Sequence, residues 1–370
     1  MARVAGRAPK RLGSLEPYLD EARIDYRLVP YDKLRAELVS QAMEHADDAF
    51  RLAAALEKLK LPLRRALGVR RARPLDSSSA RLGAVDAGAN GRELVIGLYP
   101  VITAVGAVFD GPSVAVGPVS ATTKLPRLYG DEEEARKLAT LVGYYLQFEL
   151  ASKLLPDVGE GVLLDGPLLI RRSVYSPRGR HYTQTYLETY WSAWRSLARL
   201  LGEARDADIP VVGVVKRVRS TILSRRVGLD RVGDSSLAAL CMSPGEYTSP
   251  VPANSGWAEL VGHLREAGVT PRGLRPYVVL VKAGHGGSHY RLDVPEYALD
   301  RIDGLVSALY SLRAPPTGLP LPIVAVDRLT RVTNREALIL HHRMFSSLAS
   351  KLGATRAELL SLLALRHGEL

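Results

Sequence analysis

Four carboxylates in this sequence occupy positions that favour chemistry. Asp86, Asp165 and Asp327 each follow an apolar run, and Glu149 lies four residues after Tyr145 on the apolar face of a predicted helix. Clustered carboxylates repel one another unless cations neutralise them. Oxygen ligands of this kind suit Mg²⁺ or Mn²⁺. Two such ions can hydrolyse a phosphodiester, because one activates water and the other stabilises the leaving oxygen. The acids therefore predict a site of metal-dependent phosphodiester hydrolysis.

The residues that follow Asp86 in the sequence are small. An apolar run ends at this residue and is followed by Gly88 and Gly91. We predict a buried strand that stops at Asp86 and turns through the two glycines into a second strand. This turn would leave the carboxylate at the strand tip, open to a metal ion or a phosphate. The alternative is an aspartate that caps its own turn through side-chain to backbone hydrogen bonds.

The other candidates also have structural alternatives. A buried carboxylate needs a partner, so Glu149 binds either a metal ion or an arginine at the sheet edge. Asp327 either completes the metal cluster or caps the next turn and pairs with Arg328. Lys216, in another predicted strand, is a candidate catalytic contact to the scissile phosphate, and its alternative is to extend into solvent.

The elements that must position these residues alternate between strands and helices. Strands are predicted at 82–86, 93–109 (one bent strand or two short ones), 113–119, 161–165, 209–218, 276–282, 289–294 and 319–326. Helices are predicted at 32–67, 131–155, 186–204, 295–312, 335–352 and 354–365. A basic, loosely ordered lead-in is expected over 1–28, and residues 219–273 are expected to be rich in loops.

The order of these elements brings the acids together in a simple way. If the first and fourth strands are adjacent and parallel, Asp86 and Asp165 lie at the same edge of the sheet. The helix between the third and fourth strands would then lay Glu149 over that edge. We expect three parts of the chain: a lead-in with a helical segment (1–75), a catalytic α/β domain (76–345) and a C-terminal helical segment (346–370).

Composition limits the classes of protein that remain. The single cysteine, Cys241, excludes an internal disulfide and a Cys-based zinc site. No apolar run reaches the roughly 18 residues that span a bilayer. The basic N-terminus is not followed by a long apolar segment, which argues against a secretory signal. A cytoplasmic protein is expected.

The net charge of +11 favours a polyanionic partner. Two basic stretches are candidates for DNA contact: Arg64–Arg73, whose alternative is a solvated helix end, and Arg171–Arg180. Tyr182 and Tyr186, beside the second stretch, either stack on bases or only pack.

Six short stretches together resemble a known family. They are GAVDAG (83–88), QFELA (147–151), LLDGPL (163–168), VGVVKR (212–217), PGEYT (244–248) and PLPIVAVDR (320–328). Their order, and the acids that end the first and fourth strands, resemble the ribonuclease H-like fold. Within that fold the chain is similar to the NurA nucleases of archaea and some bacteria. The resemblance spans about residues 80–345.

This resemblance implies a fold, an activity and partners. The fold is an α/β ribonuclease H-like mixed sheet flanked by helices, with helical N-terminal and C-terminal segments. The activity is that of a DNA nuclease, a 5'-3' exonuclease and single-strand endonuclease using Mn²⁺ (or Mg²⁺), with two ions per site. The partners are single-stranded DNA and duplex ends, a second copy in a homodimer, and a hexameric HerA-type translocase in the resection of double-strand breaks.

The resemblance also assigns roles to residues. Asp86, Glu149 and Asp165 match the family's metal ligands. The family often has a tyrosine and then a histidine in its last strand motif, where this chain has Leu319 and Asp327. Asp327 can still bind metal, but no histidine proton shuttle stands at that place.

Two other classes of protein remain as alternatives. An actin-like or sugar-kinase ATPase also begins with a strand followed by Asp-x-Gly, but it needs a second phosphate loop and an adenosine pocket. Neither is found, and no Gly-x-x-x-x-Gly-Lys-[Ser/Thr] motif occurs. A non-catalytic DNA-binding adaptor would keep the fold without the chemistry, and the retention of all four acids argues against it.

Overall fold

A computed structural model describes most of the chain: residues 31–75, 80–94, 97–123, 131–177, 182–229, 232–254, 256–284 and 288–352. The predicted lead-in over 1–28 and the predicted helix over 354–365 lie outside these residues, as do residues 178–181 of the second basic stretch. The described residues form a mixed α/β structure, as predicted.

Twelve strands are present in the described residues. In chain order they are β1 (Arg70–Arg71), β2 (Arg81–Leu94), β3 (Gly97–Asp110), β4 (Ser113–Thr122), β5 (Gly161–Asp165), β6 (Val211–Val215), β7 (Glu246–Tyr247), β8 (Val251–Pro252), β9 (Pro276–Lys282), β10 (His289–Pro295), β11 (Arg313–Ala314) and β12 (Leu319–Pro320). Ten of them form one mixed sheet in the order β1-β7-β9-β10-β6-β5-β2-β3-β4, with β8 paired to β9. The remaining two, β11 and β12, pair with each other.

Helices flank this sheet. They are α1 (Leu34–Ala66), α2 (Glu132–Leu154), α3 (Arg172–Tyr175), α4 (Gln184–Asp206), α5 (Ile222–Arg226), α6 (Asp234–Cys241), α7 (Trp257–Glu266), α8 (Ile302–Ser311), α9 (Leu321–Thr330) and α10 (Asn334–Leu352). Short 3-10 helices cover Tyr31–Lys33, Leu155–Asp157 and Glu296–Arg301. The predicted helices before residue 205 and after residue 295 are thus confirmed wherever the structure describes them.

The predicted pairing of the acid-bearing strands is confirmed. The strand β2 runs parallel to β5, with Leu82 opposite Gly161 and Val85 opposite Leu164. The next parallel partner of β5 is β6, where Val214 lies opposite Asp165. The carboxyl ends of these strands therefore meet at one edge of the sheet.

The predicted turn after Asp86 is wrong. The strand β2 continues through the small residues to Leu94 and pairs with β3 along its whole length. The small residues serve a close approach instead: a Cβ on Gly88 would lie 2.5 Å from the carbonyl oxygen of Thr330, at the end of α9. Glycine at this position lets α9 lie directly on the strand.

The predicted last strand, 319–326, is also wrong. Only Leu319–Pro320 is extended, and the helix α9 follows at once. Ile323 and Val326 are fully buried and are spaced by three, as on one face of a helix. Pro322 lies in the first turn, where its missing N–H costs little. Asp327 therefore lies on a helix and does not end a strand.

Residues 219–273 are more ordered than predicted. They contain the helices α5, α6 and α7 and two short strands. One buried side chain organises the first of these: Asp234 accepts hydrogen bonds from the backbone N–H groups of Ile222, Leu223 and Ser224. Satisfying several backbone donors with a single carboxylate fixes the start of α5.

The sheet separates two main cores, and this decides which way the acids point. Val85 and Leu164 pack on the face covered by α2 and α4. Ala84 and Leu163 pack on the opposite face, with residues of α8 and α9. Side chains two apart on a strand share a face, so the side chains that follow Ala84 and Leu163 by two positions lie on the α9 side. The side chains of Asp86 and Asp165 therefore lie on the α9 side of the sheet.

Candidate metal centre

Three of the four predicted acids come together. One carboxylate oxygen from each of Asp86, Asp165 and Asp327 lies within 4.8 Å of the other two. They come from β2, β5 and α9, which are separated in the sequence and joined by the parallel pairing and the packing of α9 on the sheet. Residues this close can share a single cation through oxygen ligands.

Asp86 is held by two local contacts. Its Oδ1 accepts a hydrogen bond from the N–H of Ala87 at 2.7 Å, and its Oδ2 accepts one from the hydroxyl of Thr330. The side chain is almost fully buried. Asp86 therefore accepts a local backbone hydrogen bond, as the alternative of a turn-capping aspartate predicts. However, it lies within a continuous strand and also belongs to the acid cluster.

Lys216 lies inside the cluster and does not extend into solvent. Its Nζ lies 2.6 Å from Oδ2 of Asp165 and 2.5 Å from Oδ1 of Asp327. Burial opposes the charged lysine, but the attraction of the two carboxylates outweighs it and raises the pKa of Lys216. Asp327 also faces Arg331 at 3.6 Å. Its ionic partners are therefore Lys216 and Arg331, and not Arg328 as the structural alternative predicts.

One lysine does not offset the charge of three carboxylates. Burial, and then the nearby Asp86, raise the pKa of Asp165 to about 7, although Lys216 acts in the opposite direction. The three carboxylates share the half-buried ammonium of Lys216, and the exposed Arg331 lies near Asp327, so three negative charges face two cations and the site keeps excess negative charge. Three hard oxygen ligands with excess negative charge fit a divalent cation such as Mn²⁺ or Mg²⁺, which Asp86, Asp165 and Asp327 would hold.

Glu149 is not part of this cluster, contrary to the prediction. Its carboxylate accepts a hydrogen bond from Ser196 at 2.6 Å and pairs with Arg199, both on α4. The prediction placed Glu149 and Tyr145 on the side of α2 that faces the sheet. Tyr145 is instead 36% exposed and lines a groove together with Glu149. The helix is covered on two sides, so its apolar pattern did not show which side faces the sheet.

Gln147 occupies the place that was predicted for Glu149. Two residues correspond to about 200° around a helix, so Gln147 points away from Glu149. Its side chain is buried, and its Nε2 donates to the carbonyl oxygens of Val85 and Asp165, both at 3.0 Å. It thus links the ends of the two parallel strands that carry aspartates. The signal in the sequence was a lone amide between Leu146 and Phe148, which carries no charge to mark it as part of a metal site.

Part of the predicted basic surface has structural partners. Arg64 forms two hydrogen bonds with the carboxylate of Glu246, at 2.6 and 2.7 Å, and Arg70 pairs with Asp303. Arg64 thereby fixes the end of α1 against β7. Tyr186 is fully buried, and its ring stacks on Tyr182 with centroids 4.1 Å apart. The packing alternative therefore holds for this tyrosine.

Comparison with known proteins identifies the family. Residues 107–332 match the model of the NurA domain, which is more than half of the chain. The chain belongs to the NurA family. The protein is thus a metal-dependent nuclease, and Asp86, Asp165 and Asp327 are the residues that could hold the ion. This assignment decides against the ATPase and the non-catalytic adaptor.

Solved NurA structures share the fold. The crystal structure of the NurA nuclease from Sulfolobus solfataricus has a TM-score of 0.62 and 13% identity, covering 86% of this chain and 98% of that chain. The structure of NurA with manganese has a TM-score of 0.57 and 10% identity, covering 85% and 98%. The structure of NurA bound to dAMP and manganese has a TM-score of 0.52 and 11% identity, covering 80% and 94%. No curated protein matches the sequence. Among the described residues of this NurA protein, no helix is long and apolar enough to cross a membrane.

The raised pKa of Asp165 predicts a pH-dependent loss of stability. Its folded value of about 7 lies above the ordinary unfolded value of roughly 3.9, so the folded state holds this proton more tightly. The metal-free protein should therefore become less stable as pH rises from about 4 to about 7. Asp165→Asn should remove this part of the slope, measured by urea unfolding in EDTA at several pH values. The exposed Asp206→Asn is the control, and equal slopes for wild type and Asp165→Asn would contradict the prediction.

Gln147 lies at the strand ends where Glu149 was predicted, so variants of these two residues form a matched pair. Gln147→Ala leaves two buried carbonyl groups without their donor, so the free energy of unfolding should fall by about 1–3 kcal/mol. Cleavage should fall as well, because the strand ends lose their link. Glu149→Gln keeps a hydrogen-bonding group beside Ser196 and should retain cleavage. The measurements are urea unfolding and a DNA cleavage assay. Loss of cleavage in a stably folded Glu149→Gln variant would restore Glu149 to the site.

Proposed function

We propose that this NurA protein hydrolyses DNA phosphodiester bonds at the Asp86–Asp165–Asp327 centre, as a 5'-3' exonuclease and single-strand endonuclease with two metal ions. The observation that supports this most directly is the convergence of three carboxylates from β2, β5 and α9 within 4.8 Å. The net charge of +11 also favours a polyanionic substrate.

The residues of the centre would have different roles in catalysis. The three aspartates hold the ions, and Asp86 keeps its orientation through Ala87 and Thr330. Bound divalent ions supply a water nucleophile at neutral pH and stabilise the leaving oxygen. The ammonium group of Lys216 occupies the cationic position between Asp165 and Asp327. If metal ions neutralised these carboxylates, Lys216 could donate a hydrogen bond to the scissile phosphate.

Position 327 holds an aspartate in place of the family's histidine, and this difference affects which metal ion the site prefers. A carboxylate is a harder ligand than imidazole, and a site of oxygens alone suits Mg²⁺ as well as Mn²⁺. We therefore propose that this chain uses Mg²⁺ comparatively well.

A cleavage assay tests the proposed activity. Labelled single-stranded and duplex DNA is incubated with Mn²⁺, Mg²⁺ or EDTA. Wild type should cut with either metal and not in EDTA, while Asp86→Ala should fold and not cut, since it lacks a ligand. Asp327→Asn keeps the shape but loses one charge, so it should need roughly tenfold more metal or higher. Asp327→His should shift the preference towards Mn²⁺.

Calorimetric titration of Mn²⁺ into the same variants gives a second readout that does not depend on turnover. Asp303→Asn, an exposed aspartate paired with Arg70, serves as the control. Superimposable metal titrations of wild type and Asp327→Asn would remove Asp327 from the centre. Cleavage by wild type in EDTA, or full cleavage by Asp86→Ala, would overturn the proposed mechanism.

We also propose that the protein acts as a homodimer beside a hexameric HerA-type translocase in double-strand break resection. The chain has no phosphate-binding loop motif of its own, so movement along duplex DNA needs a separate motor. The N-terminal part of α1 supports a protein partner. Val39, Met43 and Phe50 are 58%, 65% and 74% exposed, at helical spacings of four and seven that place them on one face.

This exposed apolar face predicts the position of the dimer contact. Replacing Val39, Met43 and Phe50 with serine should leave the fold intact, because these side chains are exposed in the monomer. The same change should shift the protein towards monomer in sedimentation velocity. Serine substitutions of the exposed Glu44 and Asp47 on the same helix are the control. A dimer of unchanged affinity in the apolar variant would show that the contact lies elsewhere.

A further inference from the structure

A second concave site lies on the other face of the sheet from the aspartates. It is a cavity of about 260 Å³ at the ends of β6, β9 and β10. Val215 lines this cavity, whereas its neighbour Val214 packs in the core on the α9 side. Neighbouring residues on a strand point to opposite faces. Since Val214 lies opposite Asp165 in the sheet, the cavity and the metal centre lie on opposite sides of the same strand ends.

Two short segments connect the metal centre to this cavity. One leads from Asp165 to Arg171, and a Cβ on Gly213 would lie 2.4 Å from the N atom of Leu168 within it. This segment therefore crosses β6 on the cavity side. The other segment continues from Lys216 directly into Arg217. Both arginines line the cavity, so a DNA strand that leaves the aspartates over this edge would reach them next.

The mouth of the cavity carries positive charge that is not offset. Arg171, Arg217 and Arg219 line it and are exposed. Within the part of the chain that the structure describes, these three side chains form no ion pair. The carboxylate that lines the cavity, Asp293, is already used: Arg291 contacts it at 2.7 and 3.0 Å. Three neighbouring guanidinium groups attract a polyanion, and guanidinium binds phosphate with two hydrogen bonds.

Five apolar side chains line the cavity, and we call them its floor: Leu169, Ile170, Val215, Ile222 and Val278. The paired Arg291 and Asp293 and the hydroxyl of Ser220 lie beside them. The volume of about 260 Å³ is just below the roughly 300 Å³ at which pockets for drug-sized ligands begin. An apolar floor of this size with a cationic mouth fits one nucleotide, with its base on the floor and its phosphates at the arginines. A base can enter only when it is unpaired.

We propose that this arginine cavity, defined by Arg171, Arg217 and Arg219, binds a nucleotide of the single strand beside the scissile phosphate. The inference rests on the proposed function, since it assigns a second binding site to the same DNA substrate. With the metal centre holding the phosphate to be cut and the cavity holding an unpaired neighbour, the chain would favour single-stranded DNA.

Binding measured without cleavage tests the proposal. Fluorescence anisotropy with labelled oligothymidylate in EDTA gives the affinity at several salt concentrations. The triple variant Arg171→Gln, Arg217→Gln and Arg219→Gln should bind roughly tenfold more weakly or worse. The slope of log K against log salt should fall by about 0.7 for each phosphate that the variant no longer neutralises. The control is Arg225→Gln with Arg226→Gln, two exposed arginines on α5 that do not line the cavity, and its effect should be small.

Substrate form separates a nucleotide site from a simple basic patch. The triple substitution should weaken binding to oligothymidylate more than binding to blunt duplex DNA, because a paired base cannot enter the cavity. Equal losses of affinity on the two substrates would overturn the nucleotide site. A triple variant that binds like wild type, or no more weakly than the α5 control, would overturn the whole inference.

The two proposals can fail separately. A wild type that binds oligothymidylate through the three arginines but does not cut it with Mn²⁺ or Mg²⁺ would overturn the proposed nuclease function alone. A wild type that cuts normally, beside a triple variant with unchanged binding, would overturn the cavity site alone. A wild type that binds no DNA in EDTA would also overturn the cavity site.

Discussion

The mutual repulsion of three carboxylates is the constraint on which this structure depends. Asp86, Asp165 and Asp327 lie close enough to share a cation, and burial with this repulsion raises the pKa of Asp165 to about 7. Such an arrangement opposes folding, so it persists only when the surrounding packing stabilises the protein by more. The parallel pairing of β2, β5 and β6 and the buried contacts of α9 provide that stabilisation.

Neutral polar groups hold the charged ones in place. Gln147 donates to the backbone at both strand ends, and Thr330 donates to Asp86. Neither adds charge to a site that already has an excess of it, and both orient groups beside it. Lys216 is the contrasting case, because its charge stabilises the cluster directly. The ammonium of Lys216 lies at the end of a flexible stem, whereas Gln147 and Thr330 are fixed by their hydrogen bonds and would orient the site whether or not a metal ion is bound.

The sequence predicted the parts of the fold that depend on short apolar runs and on strand order. Such runs located β5 and β9, and the parallel pairing of β2 with β5 followed from their order. Prediction failed where two periodicities fit the same residues. The apolar run before Asp327 fits a strand and a helix equally, and the proline in its first turn favours the helix. The second failure concerned rotation about α2, because a helix covered on two sides has no unique buried face. The apolar pattern therefore predicts Glu149 at the strand ends, where Gln147 lies in the structure.

The net charge of the chain is a poorer guide to where DNA would bind than the ionic partners of each arginine. Arg64 and Arg70 belong to a stretch whose composition indicates a DNA-binding surface, yet their guanidinium groups are bound to Glu246 and Asp303. An arginine in such a pair attracts a phosphate weakly, because the neighbouring carboxylate cancels its field and the pair must break before phosphate can bind. An arginine such as Arg217, with no carboxylate partner among the described residues, keeps its full attraction. We therefore propose that a DNA strand follows Arg171, Arg217 and Arg219, which line the cavity at the end of β6, and not the densest basic stretch of the sequence.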